Sequence, residues 1–234
     1  MHQLPLGSRV VFVDWHGVLS RDPFWVSIRE GARHPLKAQL EAQMAEKVFS
    51  RETDTANEWM KGLLSAEQII AAMDIRLPKN FRDDFLSRKL YVDCAQMKVN
   101  VKLFEALRTM KSVAMFVLAT DNMDCFVRTF DRVRSRGRRP RQEPETLADW
   151  AMICDDIICS SDVGVLKAED PVGFFGKWLV ERGLGFSDAA LIDDRADNCD
   201  AFASQGGTPV QYKMASGDVN DVVTTLVRWI EGPR

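Results

Sequence analysis

The run Val10-Val11-Phe12-Val13-Asp14-Trp15-His16-Gly17-Val18-Leu19 constrains this chain more than any other stretch. Its first four residues are apolar and mostly β-branched, the pattern of a buried strand. An aspartate closes the run, and Gly17 follows where the chain must turn sharply. In an open α/β sheet, ligands bind beyond the carboxyl ends of the strands, so Asp14 stands where chemistry is expected. The plainer reading is an Asp that caps the next turn. This stretch alone does not separate the two.

Later stretches repeat the pattern. Val113–Ala119 is apolar and ends at Thr120-Asp121-Asn122; Asp156–Ser160 reads as a short strand; Ala189–Ile192 ends in the pair Asp193-Asp194; Pro209–Tyr212 is a last short strand. Helical patterns separate them: 101–107, 123–133, 145–152, 171–180, 196–204 and 219–230. Alternating strands and helices predict an α/β fold with a doubly wound, parallel, Rossmann-like sheet. Between residues 22 and 95 the pattern is helical throughout. Leu36, Leu40, Met44 and Val48 recur four apart, and Ser65-Ala66-Glu67-Gln68 has the spacing of a capping box. The expected organisation is a core of residues 1–21 and 96–234 with an inserted all-helical unit, 22–95. Trp25 and Trp59 are expected to serve the core of that unit.

Composition excludes several classes. A net charge of −3 favours neither nucleic acid nor a membrane surface, and no apolar run approaches the length of a membrane helix. Met1–Pro5 shows no signal-peptide pattern, and the five cysteines are scattered without a CxxC pair, so a cytoplasmic location with reduced thiols is expected. The one odd composition is Arg132–Arg141, which holds six arginines. Such a run could attract polyanions, but beside Glu143-Pro144-Glu145 it reads as a solvated loop.

In a parallel sheet, Asp14, Thr120, Asp193 and Asp194 meet at one edge, with Lys167 on a loop between the third and fourth strands. Three carboxylates in one place repel unless a cation neutralises them. Oxygen-only ligands suit Mg²⁺. A lysine and a hydroxyl beside the ion would cradle a phosphoryl group, which Asp14 could attack to form an aspartyl-phosphate.

Four stretches together resemble the haloacid dehalogenase superfamily. Asp14-Trp15-His16-Gly17-Val18-Leu19 is similar to D-x-D-G-T/V-L. Thr120 ends a strand as the second motif does. Asp162–Pro171 resembles G-x-x-K-P-x-P, and Asp193-Asp194-Arg195-Ala196-Asp197-Asn198 resembles D-D-x-x-x-N. The resemblance implies a Mg²⁺-dependent phosphohydrolase acting on a small phosphate ester, with 22–95 as a helical cap. It assigns Asp14 as nucleophile and metal ligand. The His16 carbonyl and Asp194 would be further ligands, Asp193 would act through water, and Asn198 would stand behind them. Thr120 and Lys167 would bind phosphoryl oxygens, helped by the N–H groups of Asp121 and Asn122. His16 replaces the Asp that most relatives use as acid/base, so its imidazole is expected in that role. Alternatives of the same resemblance are a C–P or C–X hydrolase, the former suggested by Trp15, and a phospho-ligand-binding regulator without turnover.

Overall fold

The computed structural model describes residues 9–137 and 145–232. The Met1–Pro5 reading and the 138–141 part of the arginine run lie outside the described residues. Five strands form one sheet: β1 (Val10–Val13), β2 (Met115–Thr120), β3 (Asp156–Cys159), β4 (Ala189–Asp193) and β5 (Thr208–Gln211). Their order is β3-β2-β1-β4-β5 and every pairing is parallel. This is the expected doubly wound sheet. β1 lies at its centre, with β2 on one side and β4 on the other, so the winding reverses beside Asp14.

Successive strand residues point to opposite faces, and both faces are covered. Val11, Val13, Phe116, Leu118, Ala190 and Ile192 face one cluster, while Val10, Phe12, Val117, Ala119, Ala189 and Leu191 face another. Phe12 packs among aromatic rings, with Phe175 at 4.8 Å and Trp178 at 5.4 Å between centroids.

Between β1 and β2 run α1 (Val26–Arg29), α2 (Lys37–Gln43), α3 (Thr55–Met60), α4 (Ala66–Met73), α5 (Phe85–Ala95) and α6 (Val101–Thr109). After β2 come α7 (Asp124–Ser135), α8 (Leu147–Trp150), α9 (Ser160–Val163), α10 (Lys177–Val180), α11 (Ala196–Ser204) and α12 (Val219–Glu231). The helices of 26–90 share their own apolar cluster around Trp25, Leu40, Trp59, Ile69 and Leu90, joined by Met123 and Cys125 from the segment after β2. Cys94, by contrast, packs into the sheet's cluster. The Ser65 capping box forms as expected, with Gln68 N donating to Ser65 Oγ and Ser65 N to Gln68 Oε1.

Several boundaries differ from the expectation. β2 starts at Met115, because the amides of Val113 and Ala114 both turn back to the Met110 carbonyl. The helix expected over 171–180 begins as a π-turn, Val172–Gly176, and becomes α-helical at Lys177.

All five cysteines are buried and free. Burial pushes the thiols of Cys94, Cys154, Cys159 and Cys199 up to about 12. Among the described residues, no helix is long and apolar enough to cross a membrane.

Candidate active site

β1 delivers Asp14 to the carboxyl edge of the sheet, where its N–H extends the ladder to the Ile192 carbonyl at 2.9 Å. The chain then turns at once. Gly17 adopts φ 91°, and its N–H bonds Ser20 O at 2.8 Å. A Cβ at Gly17 would fall on the Asp194 carboxylate, so glycine serves here both for its backbone freedom and for the space it leaves. The result is a close approach of the ends of β1 and β4.

The structure brings Asp14, Asp193 and Asp194 together, with one carboxylate oxygen from each within 4.8 Å of the others. Lys167 reaches into this group and is 1% exposed. Its Nζ donates to Asp14 Oδ1 at 2.9 Å, to Asp193 Oδ2, and to the Ala119 carbonyl at 3.2 Å. Its backbone N–H is held by Asp121 Oδ1 at 3.0 Å, which fixes the loop that presents it. Asp193 also accepts from Arg195 N and from Asn198 Nδ2. Asp193 is therefore tied down, while Asp194 is only half-buried.

Burial raises the Asp14 pKa to about 7; Lys167 opposes that rise and Asp193 adds to it. Burial and the Asp193 charge likewise raise Asp194, and burial raises Asp121. Desolvation alone would lower Lys167, but Asp14, Asp193 and Asp121 outweigh it and hold the ammonium charged. One lysine cannot balance these carboxylates, so the cluster favours a further cation. Its donors are all oxygens, which suits Mg²⁺.

Thr120 is fully buried and its hydroxyl has no partner among the described residues; Asn198 Oδ1 is unpartnered too. Buried polar atoms are normally satisfied, so the unpaired hydroxyl at this strand end stands out. Asn122 lies in the loop that follows β2. Its N–H donates to Ser160 Oγ at 2.9 Å and its side chain accepts from Met123 N, so both groups are engaged within the loop. His16 is exposed on the turn beside Asp194; desolvation lowers its pKa while the Asp194 charge acts the other way. Trp15 is buried in the core against Phe126.

Two residues that motif reading missed connect this edge to the helical layer. Ser160 Oγ, at the end of β3, donates to Met60 O at 2.7 Å. Asp124 Oδ1 accepts from Trp59 Nε1 at 2.8 Å and from Ala66 N at 3.0 Å. A polar residue at a third strand end was the only signal for Ser160, and none marked Asp124.

No protein-family model and no curated protein matches the chain. Solved structures do. A haloacid dehalogenase-family enzyme of Bacteroides thetaiotaomicron, solved with magnesium and inorganic phosphate, aligns over 90% of this chain and 96% of its own, with TM-score 0.61 and 14% identity. A predicted HAD-like family hydrolase of Porphyromonas gingivalis aligns over 95% and 98%, with TM-score 0.65 and 15% identity. A 2-haloacid dehalogenase of Pseudomonas syringae aligns over 95% and 99%, with TM-score 0.60 and 14% identity. The chain has the haloacid dehalogenase fold. Structures with this fold include both a phosphate-bound enzyme and a dehalogenase, so the chemistry rests on the residues of the site itself.

Proposed function

We propose that the protein is a Mg²⁺-dependent phosphohydrolase that attacks phosphate esters with Asp14. The observation that supports this reading is the junction of Asp14, Asp193 and Asp194 around the buried Lys167. Asp14, Asp194 and the His16 carbonyl would hold the ion, with Asp193 near. The ion, when bound, neutralises the carboxylates and polarises a phosphoryl oxygen. Lys167 holds one oxygen of Asp14 and leaves the other to bond phosphorus. The ester P–O bond then breaks, and the leaving oxygen takes a proton from His16. Water attacks the aspartyl-phosphate, giving its proton to His16, and inorganic phosphate leaves with Asp14 restored. Thr120 Oγ1 binds one phosphoryl oxygen, and Lys167 binds another by exchanging its bond to the Ala119 carbonyl. The helical layer, 22–95, acts as the cap and selects the leaving group.

The acidic pair supports this reading over C–X cleavage, in which no charge on phosphate needs neutralising. The Trp15 resemblance to C–P-cleaving members loses weight because the Trp15 side chain packs in the sheet's apolar cluster against Phe126. The test is release of inorganic phosphate from aryl and alkyl phosphates with and without Mg²⁺. Metal-dependent turnover that Asp14→Asn abolishes is the expected result. Turnover of a phosphonate or a haloacid alone would replace this reading, and tight phosphate binding without turnover would make the chain a regulator.

A further inference from the structure

A concave feature elsewhere on the molecule is lined by none of the candidate active-site residues. It is a groove of about 1070 Å³ between α5 and the C-terminal half of α7, closed by the segments 96–101 and 145–148. Arg88 on α5, Lys98, Arg132 on α7 and Arg136 at the C-terminal cap of α7 line it. All four are exposed, and none forms an ion pair among the described residues. Nearby basic residues behave otherwise: Arg128 bridges to Glu67 and Asp124, and Lys89 to Asp93. Glu145 is the only carboxylate in the described lining. A local excess of positive charge thus stands on a chain whose net charge is −3, and it carries a standing preference for an anion.

Arg132 lies in the last turn of α7 and Arg136 caps its C-terminus four residues on, with Val133 also in the lining. Arg88 and Val92 are one turn apart on α5. Val92 and Val101 are 48% and 44% exposed, so the cations surround an aliphatic floor. A nucleic acid or a nucleotide would seek an aromatic platform for its bases. The one aromatic ring in the described lining, Tyr91, packs toward the helical layer, and its hydroxyl is engaged by Arg128 and Glu67. Valines beneath arginines suit aliphatic side chains flanked by carboxylates, which guanidinium groups bind in a planar fork.

We propose that this groove is a docking site for an acidic, leucine-rich segment of a partner protein. The experiment is fluorescence anisotropy of the full chain with a labelled peptide that alternates Leu with Glu and Asp. Binding should be saturable and weaken with salt. Arg132→Gln/Arg136→Gln should weaken it by about tenfold, as expected when paired charges lose their partners. Val92→Ser/Val101→Ser should also weaken it, and neither variant should change hydrolytic activity. Absent binding, or equal binding by wild type and the arginine variant, overturns the proposal. Poly-glutamate binding as tightly as the peptide would show a charged face without an apolar seat, and also overturns it. Tighter binding of oligothymidylate would make the groove a nucleic-acid site instead. Self-association abolished by the arginine variant would make it an interface between copies of this chain.

Discussion

Lys167 lies between Asp14 and Asp193, deep enough that its charge is almost wholly withdrawn from water. Breaking a buried pair by removing one partner is costly, so Lys167→Met should destabilise the protein by about 3–5 kcal/mol. Urea unfolding measures this, and adding Asp193→Asn to that variant should restore part of the loss by removing an orphaned carboxylate. If the double variant is less stable than the single one, the pairing is not what makes Lys167 matter. His16 gives a different test. In an acid/base role, His16→Asn should lower turnover of alkyl phosphates by about 10²–10⁴-fold and of an activated aryl phosphate far less. Equal losses on both would leave His16 only its backbone role. The convergence of Asp14, Thr120, Lys167 and the acidic pair was legible because parallel strands carry their last residues to one edge. The bond from Asn122 N–H to Ser160 was not legible, because Ser160 is remote in sequence and meets it only through the pairing of β2 with β3.

At the scale of elements, Asp124 is the first residue of α7, yet its carboxylate accepts from Trp59 and Ala66 of the helical layer. It also pairs with Arg128, one turn further on. Asp124→Ala should leave two buried or half-buried donors unmatched, costing about 1–3 kcal/mol. Amide exchange should then quicken over 55–73 while the amides of β1 and β4 stay protected. Uniform quickening across the sheet would show instead that layer and core unfold as one. Local chemistry made several elements readable in advance, the Ser65 capping box above all. The two π-turns, Met44–Val48 and Val172–Gly176, were not readable, because an inserted residue changes the turn without disturbing the apolar spacing on either side. Nor was the left-handed backbone of Trp25, at φ 54°. It is held by the buried bond from its indole N–H to Leu86 O, a contact no local pattern encodes.

For the whole molecule, the centre of the sheet ends in a cluster of carboxylates that folding forces together. A folded-state pKa of about 7 at Asp14 lies above its ordinary value of 3.8, so the folded protein holds that proton more tightly than the unfolded chain. Metal-free stability should therefore fall as pH rises from about 4 to about 7. Added Mg²⁺ should raise the melting temperature most at the upper end of that range. Asp194→Asn should raise the metal-free melting temperature and remove the Mg²⁺ response; an undiminished response would exclude Asp194 as a ligand. The five cysteines, spread through all parts of the described chain, have a consequence for experiment. Cys125 belongs to the cluster of the helical layer, while Cys94 and Cys154 belong to the sheet's own cluster. Thiolates react and thiols do not, so the native protein should be silent toward an aromatic disulfide reagent. Each sulfur then becomes a clock for the opening of its own region, and the order in which the five are labelled would time how the molecule comes apart.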